Sequence, residues 1–285
     1  MVHLLIVGDT GTGDHNQKIV AKMMKEKLTG KTGACILLGD NFYETGTKGI
    51  TDQQFKHKFE DIYHDMDVPF WALLGNHDWG NHEEYDGRHM SQVAYSKHSA
   101  KWNMPSRYYH QVFGDCDFFM LDTNFEWMED RDIREQYDTM MDLIKGSTQR
   151  WKVLCGHHTW RSVGGHGNAE KKLENFLQGL VKGCGTRIHL YMCGHDHCKN
   201  AIDLTISENN KQSLKCVVIG TGSKPFNDKY LTLKNTEDSD DSSLQFHSPN
   251  LGFCEFRSDS QKIHLNFYAP LEDGSCVKEY DCEIS

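Results

Sequence analysis

The sequence predicts a layered α/β fold in which helices pack over sheets of buried strands. Short apolar runs recur along the chain, most of them closed by glycine and then a polar residue: Leu4–Val7, Cys35–Leu38, Phe70–Leu74, Phe118–Leu121, Lys152–Cys155, Leu190–Cys193 and Cys216–Ile219. Their length, roughly four to six residues, and their lack of period-two alternation suit strands covered on both faces. Between them lie segments with apolar residues at helical spacing, and strand–helix alternation of this kind marks an α/β architecture.

Taken in order, the first strand ends at Gly8-Asp9, and residues 14–28 follow as a helix with Ile19, Val20, Met23, Met24 and Leu28 on one face. Residues 51–64 open with Thr51 and Gln54 at capping-box spacing and carry Phe55, Phe59 and Ile62. Asn124–Gly146 is acidic and helix-like, with Ile133, Tyr137, Met140, Met141 and Ile144 at helical spacing, and residues 168–182 carry Leu173, Phe176, Leu177 and Leu180. From about residue 200 the helical periodicity fades. Cys216–Ile219, Phe253–Phe256 and Ile263–Tyr268 read as further strands, which implies a second sheet. Thr236–Ser243 has no apolar content and reads as an exposed loop. No internal repeat or long linker divides the chain, so residues 1–285 are read as a single domain.

Composition narrows the function classes. A net charge of −10 and a pI near 5.9 argue against a broad nucleic-acid surface, which needs clustered Lys and Arg to displace counterions. No apolar run approaches the ~20 residues needed to span a bilayer, so a soluble chain with no membrane partner is expected. The start, Met1 running straight into Val2–Val7, lacks the basic opening of a secretory leader. Cys35, Cys155, Cys193 and Cys216 lie inside apolar runs and read as core thiols, which favours a reducing, cytoplasmic setting. A trimmed leader would instead place the chain in a secretory or lysosomal one.

The polar residues at the strand ends carry the chemistry. Asp9, Asp40 with Tyr43 three residues on, Asn76-His77-Asp78, Gly156-His157 and His195-Asp196-His197 each follow a buried run directly. In a layered α/β fold such positions converge at one edge of the sheet. Gly8-Asp9 alone is an ordinary strand-to-turn junction; the coincidence of five blocks is what points to a site. Carboxylates and a phenolate suit a hard ion such as Fe(III), whereas imidazole and an amide oxygen suit a borderline divalent ion. Two metals are implied, and a carboxylate shared between them, for which Asp40 is the natural candidate, would hold them ~3.5–4 Å apart, the separation used for in-line displacement at phosphorus.

Gly8-Asp9-x-Gly11, Gly39-Asp40-Asn41-Phe42-Tyr43, Gly75-Asn76-His77-Asp78, Gly156-His157 and Gly194-His195-x-His197 resemble the five motif blocks of the purple acid phosphatases, within the calcineurin-like metallophosphoesterases. The likeness extends through Ala94-Tyr95-Ser96-Lys97, Trp102-Asn103-x-Pro105-Ser106, Ser162-x-x-x-His166-Gly167 and Thr236-Glu237-Asp238-Ser239, and is greatest to the small tartrate-resistant type. It implies a four-layer α/β/β/α sandwich, a monomer, and an acid phosphatase acting on phosphomonoesters, whether small molecules or phosphoproteins. By the same resemblance Asp9, Tyr43 and His197 would bind Fe(III), Asn76, His157 and His195 would bind a divalent iron, zinc or manganese ion, and Asp40 would bridge. A metal-activated hydroxide would attack, while His77 and His166 would face the phosphate and assist the leaving group.

Other polar residues admit plainer readings. His158 is read as a packing or supporting residue, since adjacent side chains on extended backbone point opposite ways. His57, His64, His98 and His264 are read as surface residues. Asp78 either orients His77 or caps the next loop, and Asp196 is expected to point away from the metals. The chain departs from its relatives where Asn124–Gly146 replaces their protease-sensitive loop, where no cysteines are placed for their disulfide, and where His158-Thr159 stands in place of an aromatic residue and proline. The loop Trp79–Met90 adds His82, Glu83, Glu84, Arg88 and His89 near the site. Two alternatives to a monoesterase are a phosphodiesterase or nucleotide pyrophosphatase on the same metals, and a non-catalytic metal-binding scaffold, which loss of ligands would favour.

Overall fold

The computed structural model describes residues 1–28, 30, 33–80, 87–206, 212–225, 241–271 and 275–285. Its strands are β1 Val2–Val7, β2 Ala34–Leu37, β3 Phe70–Ala72, β4 Trp102–Asn103, β5 Tyr109–Phe113, β6 Cys116–Met120 and β7 Trp151–Cys155, then β8 Leu190–Cys193, β9 Lys199–Thr205, β10 Ser213–Ile219, β11 Ser242–Ser248, β12 Phe253–Ser258, β13 Ile263–Pro270 and β14 Cys276–Ile284. The helices are α1 His15–Lys27, α2 Gln53–Phe55, α3 Met90–Tyr95, α4 Asp130–Gly146 and α5 Lys171–Gly183.

The strands form two mixed seven-stranded sheets, in the orders β14-β13-β12-β1-β2-β3-β4 and β11-β9-β10-β8-β7-β6-β5. Each has a parallel centre, β1/β2/β3/β4 in one and β6/β7/β8/β10 in the other, extended by antiparallel strands. The sheets face each other across one continuous apolar core, where Phe118 of β6 meets Phe256 of β12 edge-on at 5.3 Å. Helix α1 lies against β13, and α4 packs on α5 through Tyr137 and Phe176. The central strands are therefore covered on both faces, which is why they read as unbroken apolar runs.

Local differences from the sequence reading have physical causes. Helix α1 is capped by Asp14, which accepts from Gln17 N (3.1 Å), and buries Val20, Met23 and Met24 as expected. The helix expected over 51–64 is cut to α2 followed by wider turns over Lys56–Glu60. Its cap is Asp52, not Thr51, because the carboxylate accepts from both Gln54 N (3.0 Å) and Lys48 N (2.9 Å). Phe55 and Phe59 are nevertheless buried. Asn124–Glu129 precedes α4 as turns, and α4 buries Ile133, Met140, Met141 and Ile144. The second sheet is not the property of the C-terminal third: strands beyond residue 200 extend both sheets. Of the expected loop Thr236–Ser243, residues 236–240 lie outside the described residues, Asp241 pairs with Arg161 (2.8 Å), and Ser242 and Ser243 open β11. His82, Glu83 and Glu84 also lie outside them. All ten cysteines are free thiols, and Cys35, Cys155, Cys193 and Cys216 are buried. Among the described residues no helix is long and apolar enough to cross a membrane.

The antiparallel flank is anchored by a buried carboxylate. Glu255 of β12 meets His3 Nε2 (2.9 Å), Arg257 Nη2 (2.6 Å), Asn266 Nδ2 (2.9 Å) and the Tyr268 hydroxyl (3.3 Å). Burial pushes Glu255 up, but the bonds from His3 and Arg257 outweigh it and bring the carboxyl down to about 2. A carboxyl depressed on folding adds stability that is complete above its unfolded pKa, 4.5, and is lost as pH falls toward 2. Glu255→Gln should therefore lower the Tm at neutral pH, and the gap to the wild type should close as the melt is repeated between pH 5 and pH 2. A gap that does not change with pH would show that the ionised form contributes nothing.

Candidate metal centre

The donors expected from sequence stand beyond the C-terminal ends of five parallel strands. Asp9 follows β1, Asp40 and Tyr43 follow β2, Asn76 follows β3, His157 follows β7, and His195 and His197 follow β8. The first three strands belong to one sheet and the last two to the other, so the cluster requires both sheets to present the same ends at one edge. Backbone bonds tie that edge together: Gly8 N donates to Ile219 O (2.8 Å), and Gly222 N to Gly8 O (3.0 Å).

Three of these residues leave their strands in the left-handed region, Asp9 at φ 59°, Asp40 at φ 52° and His195 at φ 70°. Such backbone costs of order 1 kcal/mol or more for a residue with a side chain and persists where its surroundings impose it. Two glycines make room for the result. A Cβ on Gly75 would collide with Asp40 Oδ1, and one on Gly194 with Asp9 Oδ2.

All seven donors converge. The Tyr43 hydroxyl donates to Asp9 Oδ1 (3.0 Å) and lies 3.2 Å from His197 Nε2. Asn76 Oδ1 lies 3.1 Å from both His157 Nε2 and His195 Nδ1, which are 3.3 Å apart, and Asp40 Oδ1 lies 3.4 Å from His157 Nε2. Ligand atoms of Asp9, Asp40 and His157 all fall within 4.8 Å of one another, which joins the two groups of donors. His157 Nδ1 donates to the Leu38 carbonyl (2.8 Å), which leaves the lone pair of a neutral ring on Nε2, facing an amide oxygen, a carboxylate and a second imidazole. Such a cluster of acceptors calls for positive charge at its centre.

The electrostatics agree. Burial opposes a charge on His157, yet Asp40 and Asp9 overcome it and raise its pKa. Burial and the surrounding histidines hold His195 far below the usual range, so its ring is a neutral donor of a lone pair. Burial, Asp40 and Asp9 push Tyr43 well above 10, so its proton leaves only for a cation. Lys224 adds charge at the rim, its Nζ 3.6 Å from the Tyr43 ring centroid. This donor set fits a pair of metal ions by count, chemistry and direction.

His77 and His166 flank the same centre. His77 Nδ1 donates to Glu44 O (2.5 Å), and Nε2 is 3.8 Å from Asp40 Oδ2. The His166 ring lies 4.0 Å from that of His195. The Asp78 carboxylate does not hydrogen-bond the His77 ring. It accepts from Gly75 N (2.8 Å), Asn41 N (3.1 Å), Phe42 N (3.1 Å) and Gln92 Nε2 (2.7 Å), locking the Asp40 loop to the Asn76 loop. Asp196 turns away from the donors, as expected, accepting from Ser162 Oγ and from His166 N (2.8 Å) and so holding the His166 loop in place. Sequence reasoning missed Thr123, whose hydroxyl accepts from His157 N (3.2 Å) and His158 N (3.1 Å); no local pattern marks it. His57, His64 and His98 are exposed and His264 half-buried, while Arg88 bonds Thr45 O (2.7 Å) and His89 stacks on Trp79 at 3.8 Å.

Fold and site together define a calcineurin-like phosphoesterase, and the chain belongs to that family, whose model matches residues 2–199. Within it the chain is similar to purple acid phosphatase 7 of Arabidopsis thaliana, 32% identical over 68% of this chain and 63% of the relative. It is also similar to tartrate-resistant acid phosphatase type 5 of Rattus norvegicus, 32% identical over 56% of this chain and 53% of the relative. The chain thus spans half to two-thirds of the length of these relatives. Its fold matches a solved structure described as GAP50, the anchor in the inner membrane complex of Plasmodium, with a TM-score of 0.78 at 22% identity, covering 100% of this chain and 88% of the other.

If Gly194 is small so that Asp9 can reach the centre, Gly194→Ala should keep the far-UV circular dichroism of the wild type while weakening metal binding ~10-fold or more. Full metal content at limiting metal concentration would refute that role.

Proposed function

We propose that the chain is a metal-dependent acid phosphatase that hydrolyses phosphomonoesters. The observation that carries this reading is the convergence of seven donors, two carboxylates, a phenol, an amide and three imidazoles, of which Asp40, Asn76, His195 and His197 line a cavity of about 670 Å³ together with His77, His158 and His166. Asp9, Tyr43 and His197 would hold Fe(III), Asn76, His157 and His195 a divalent iron, zinc or manganese ion, and Asp40 would lie between them. Ions so placed supply a water acidified for attack and a Lewis acid for the phosphoryl oxygens.

The chain's own residues do the rest. With Nδ1 committed to the Glu44 carbonyl, His77 meets substrate through Nε2. His166, whose backbone is held by Asp196 and whose ring lies over that of His195, would give a proton to the departing alcohol. Beyond the histidines the cavity wall mixes Phe125, Trp127 and Leu173 with Glu126, Glu170 and Lys172, so it offers an organic group both apolar and charged contacts. A complete, convergent donor set favours catalysis over a non-catalytic metal-binding scaffold.

Turnover of an aryl phosphomonoester beside the matching diester, between about pH 4 and pH 8 on metal-replete protein, tests the reading. A strong monoester preference with an acidic optimum is expected; a diester preference or a neutral optimum would move the chain to the phosphodiesterases. Asp9→Asn and His197→Ala should each lose metal and activity together, and survival of full activity in either would sink the assignment. His166→Ala should keep its metal yet turn over ~10²–10⁴-fold more slowly. Iron-loaded Tyr43→Phe should lack the visible charge-transfer band expected of the wild type.

A further inference from the structure

His158 follows a proposed metal ligand directly, and its surroundings give it more than a packing role. The Thr123 hydroxyl has three partners: it lies 3.2 Å from His157 N, 3.1 Å from His158 N and 2.8 Å from His158 Nδ1. A hydroxyl accepts two hydrogen bonds and donates one. Both backbone N–H groups can only donate, so they fill its lone pairs, and its proton must go to His158 Nδ1. That nitrogen is therefore an acceptor, and the proton of the neutral ring sits on Nε2. Among the described residues Nε2 has no hydrogen-bond partner, yet it is not among the buried polar atoms without one. The half-buried ring lines the cavity, so Nε2 is the ring nitrogen left to meet a ligand there. The ring centroid lies 4.6 Å from that of His195, on the side of the centre where His166 also stands.

We propose that His158 is a substrate-binding residue whose Nε2–H donates to a non-bridging phosphoryl oxygen of the bound ester and of the product phosphate, in a tautomer set by the Thr123 hydroxyl. The inference rests on the phosphatase reading above and extends it. A neutral donor here adds a hydrogen bond to an anionic oxygen without adding charge beside the metal ligands. It holds the phosphoryl group in the substrate and the product alike, so it governs affinity more than the chemical step. Thr123 acts through it as a positioning residue.

The test measures product inhibition by inorganic phosphate, with KM, kcat and metal content, on metal-replete wild type, His158→Phe, Thr123→Val and Thr123→Ser. Phenylalanine keeps the ring against His195 and removes the Nε2–H donor together with the Nδ1 acceptor of the Thr123 hydroxyl. His158→Phe is expected to hold its metal, to raise the phosphate inhibition constant and KM together by roughly tenfold, the loss of a hydrogen bond to a charged group, and to lower kcat by less. Thr123→Val should shift the same two constants in the same direction, and Thr123→Ser, which keeps the hydroxyl, should restore them. Unchanged phosphate inhibition in His158→Phe would overturn the inference while leaving the phosphatase reading intact. Loss of metal from that variant would make His158 a ligand or a structural support and overturn it too. Wild type that is metal-replete but neither turns over esters nor is inhibited by phosphate would remove the phosphatase reading itself, and this inference with it.

Discussion

The site depends on a single electrostatic constraint: a knot of buried electron-pair donors whose lone pairs face one another and need a proton or a cation among them. Asn76 Oδ1, His157 Nε2, His195 Nδ1 and Asp40 Oδ1 stand within about 3.4 Å of their neighbours, and the one proton on the His157 ring is spent on the Leu38 carbonyl. Desolvating such groups together is costly in the absence of a cation. The fold supplies the countervailing rigidity through two mixed sheets whose strand ends meet at one edge, backed by a core of fully buried Leu, Ile, Val and Phe.

That rigidity is spent locally in recognisable ways. Left-handed backbone at Asp9, Asp40 and His195 swings three side chains off their strands, and glycines at 75 and 194 leave the space their carboxylate neighbours fill. Behind the donors, buried polar groups fix loop against loop. Asp78 gathers backbone N–H groups from the Asp40 and Asn76 loops, Asp196 holds the His166 loop, and Thr123 binds the chain at His157 and His158. A motif residue such as Asp78 or Asp196 thus serves the site by orienting the chain and need not touch the reacting atoms.

The central strands were legible because burial on both faces forces an unbroken apolar run, and α4 and α5 because their apolar residues repeat at helical spacing over several turns. The edges were less so. β9, β11 and β14 mix polar and apolar residues, as strands with one wet face do, and without their partners they look like loops. The helix over 51–64 starts at Asp52 and not Thr51 because the Asp52 carboxylate bonds backbone on both sides of it.

For the site, the sequence by itself named the residues that the fold brings together. Asp, Asn, Tyr and His placed just after buried runs could be named because a strand that ends in a polar group must deliver it to an edge, and five such deliveries point to one destination. Only the tertiary structure decided how these side chains meet, that Asp78 bonds the backbone of the Asp40 and Asn76 loops, and that the Thr123 hydroxyl stands against His158 Nδ1. These are facts of pairing between residues 34 or more positions apart, as with Thr123 and His157, Asp40 and His77, or Asp9 and Tyr43. Local sequence sets which groups a segment can offer, whereas hydrogen-bond valence is satisfied only when another segment arrives beside it.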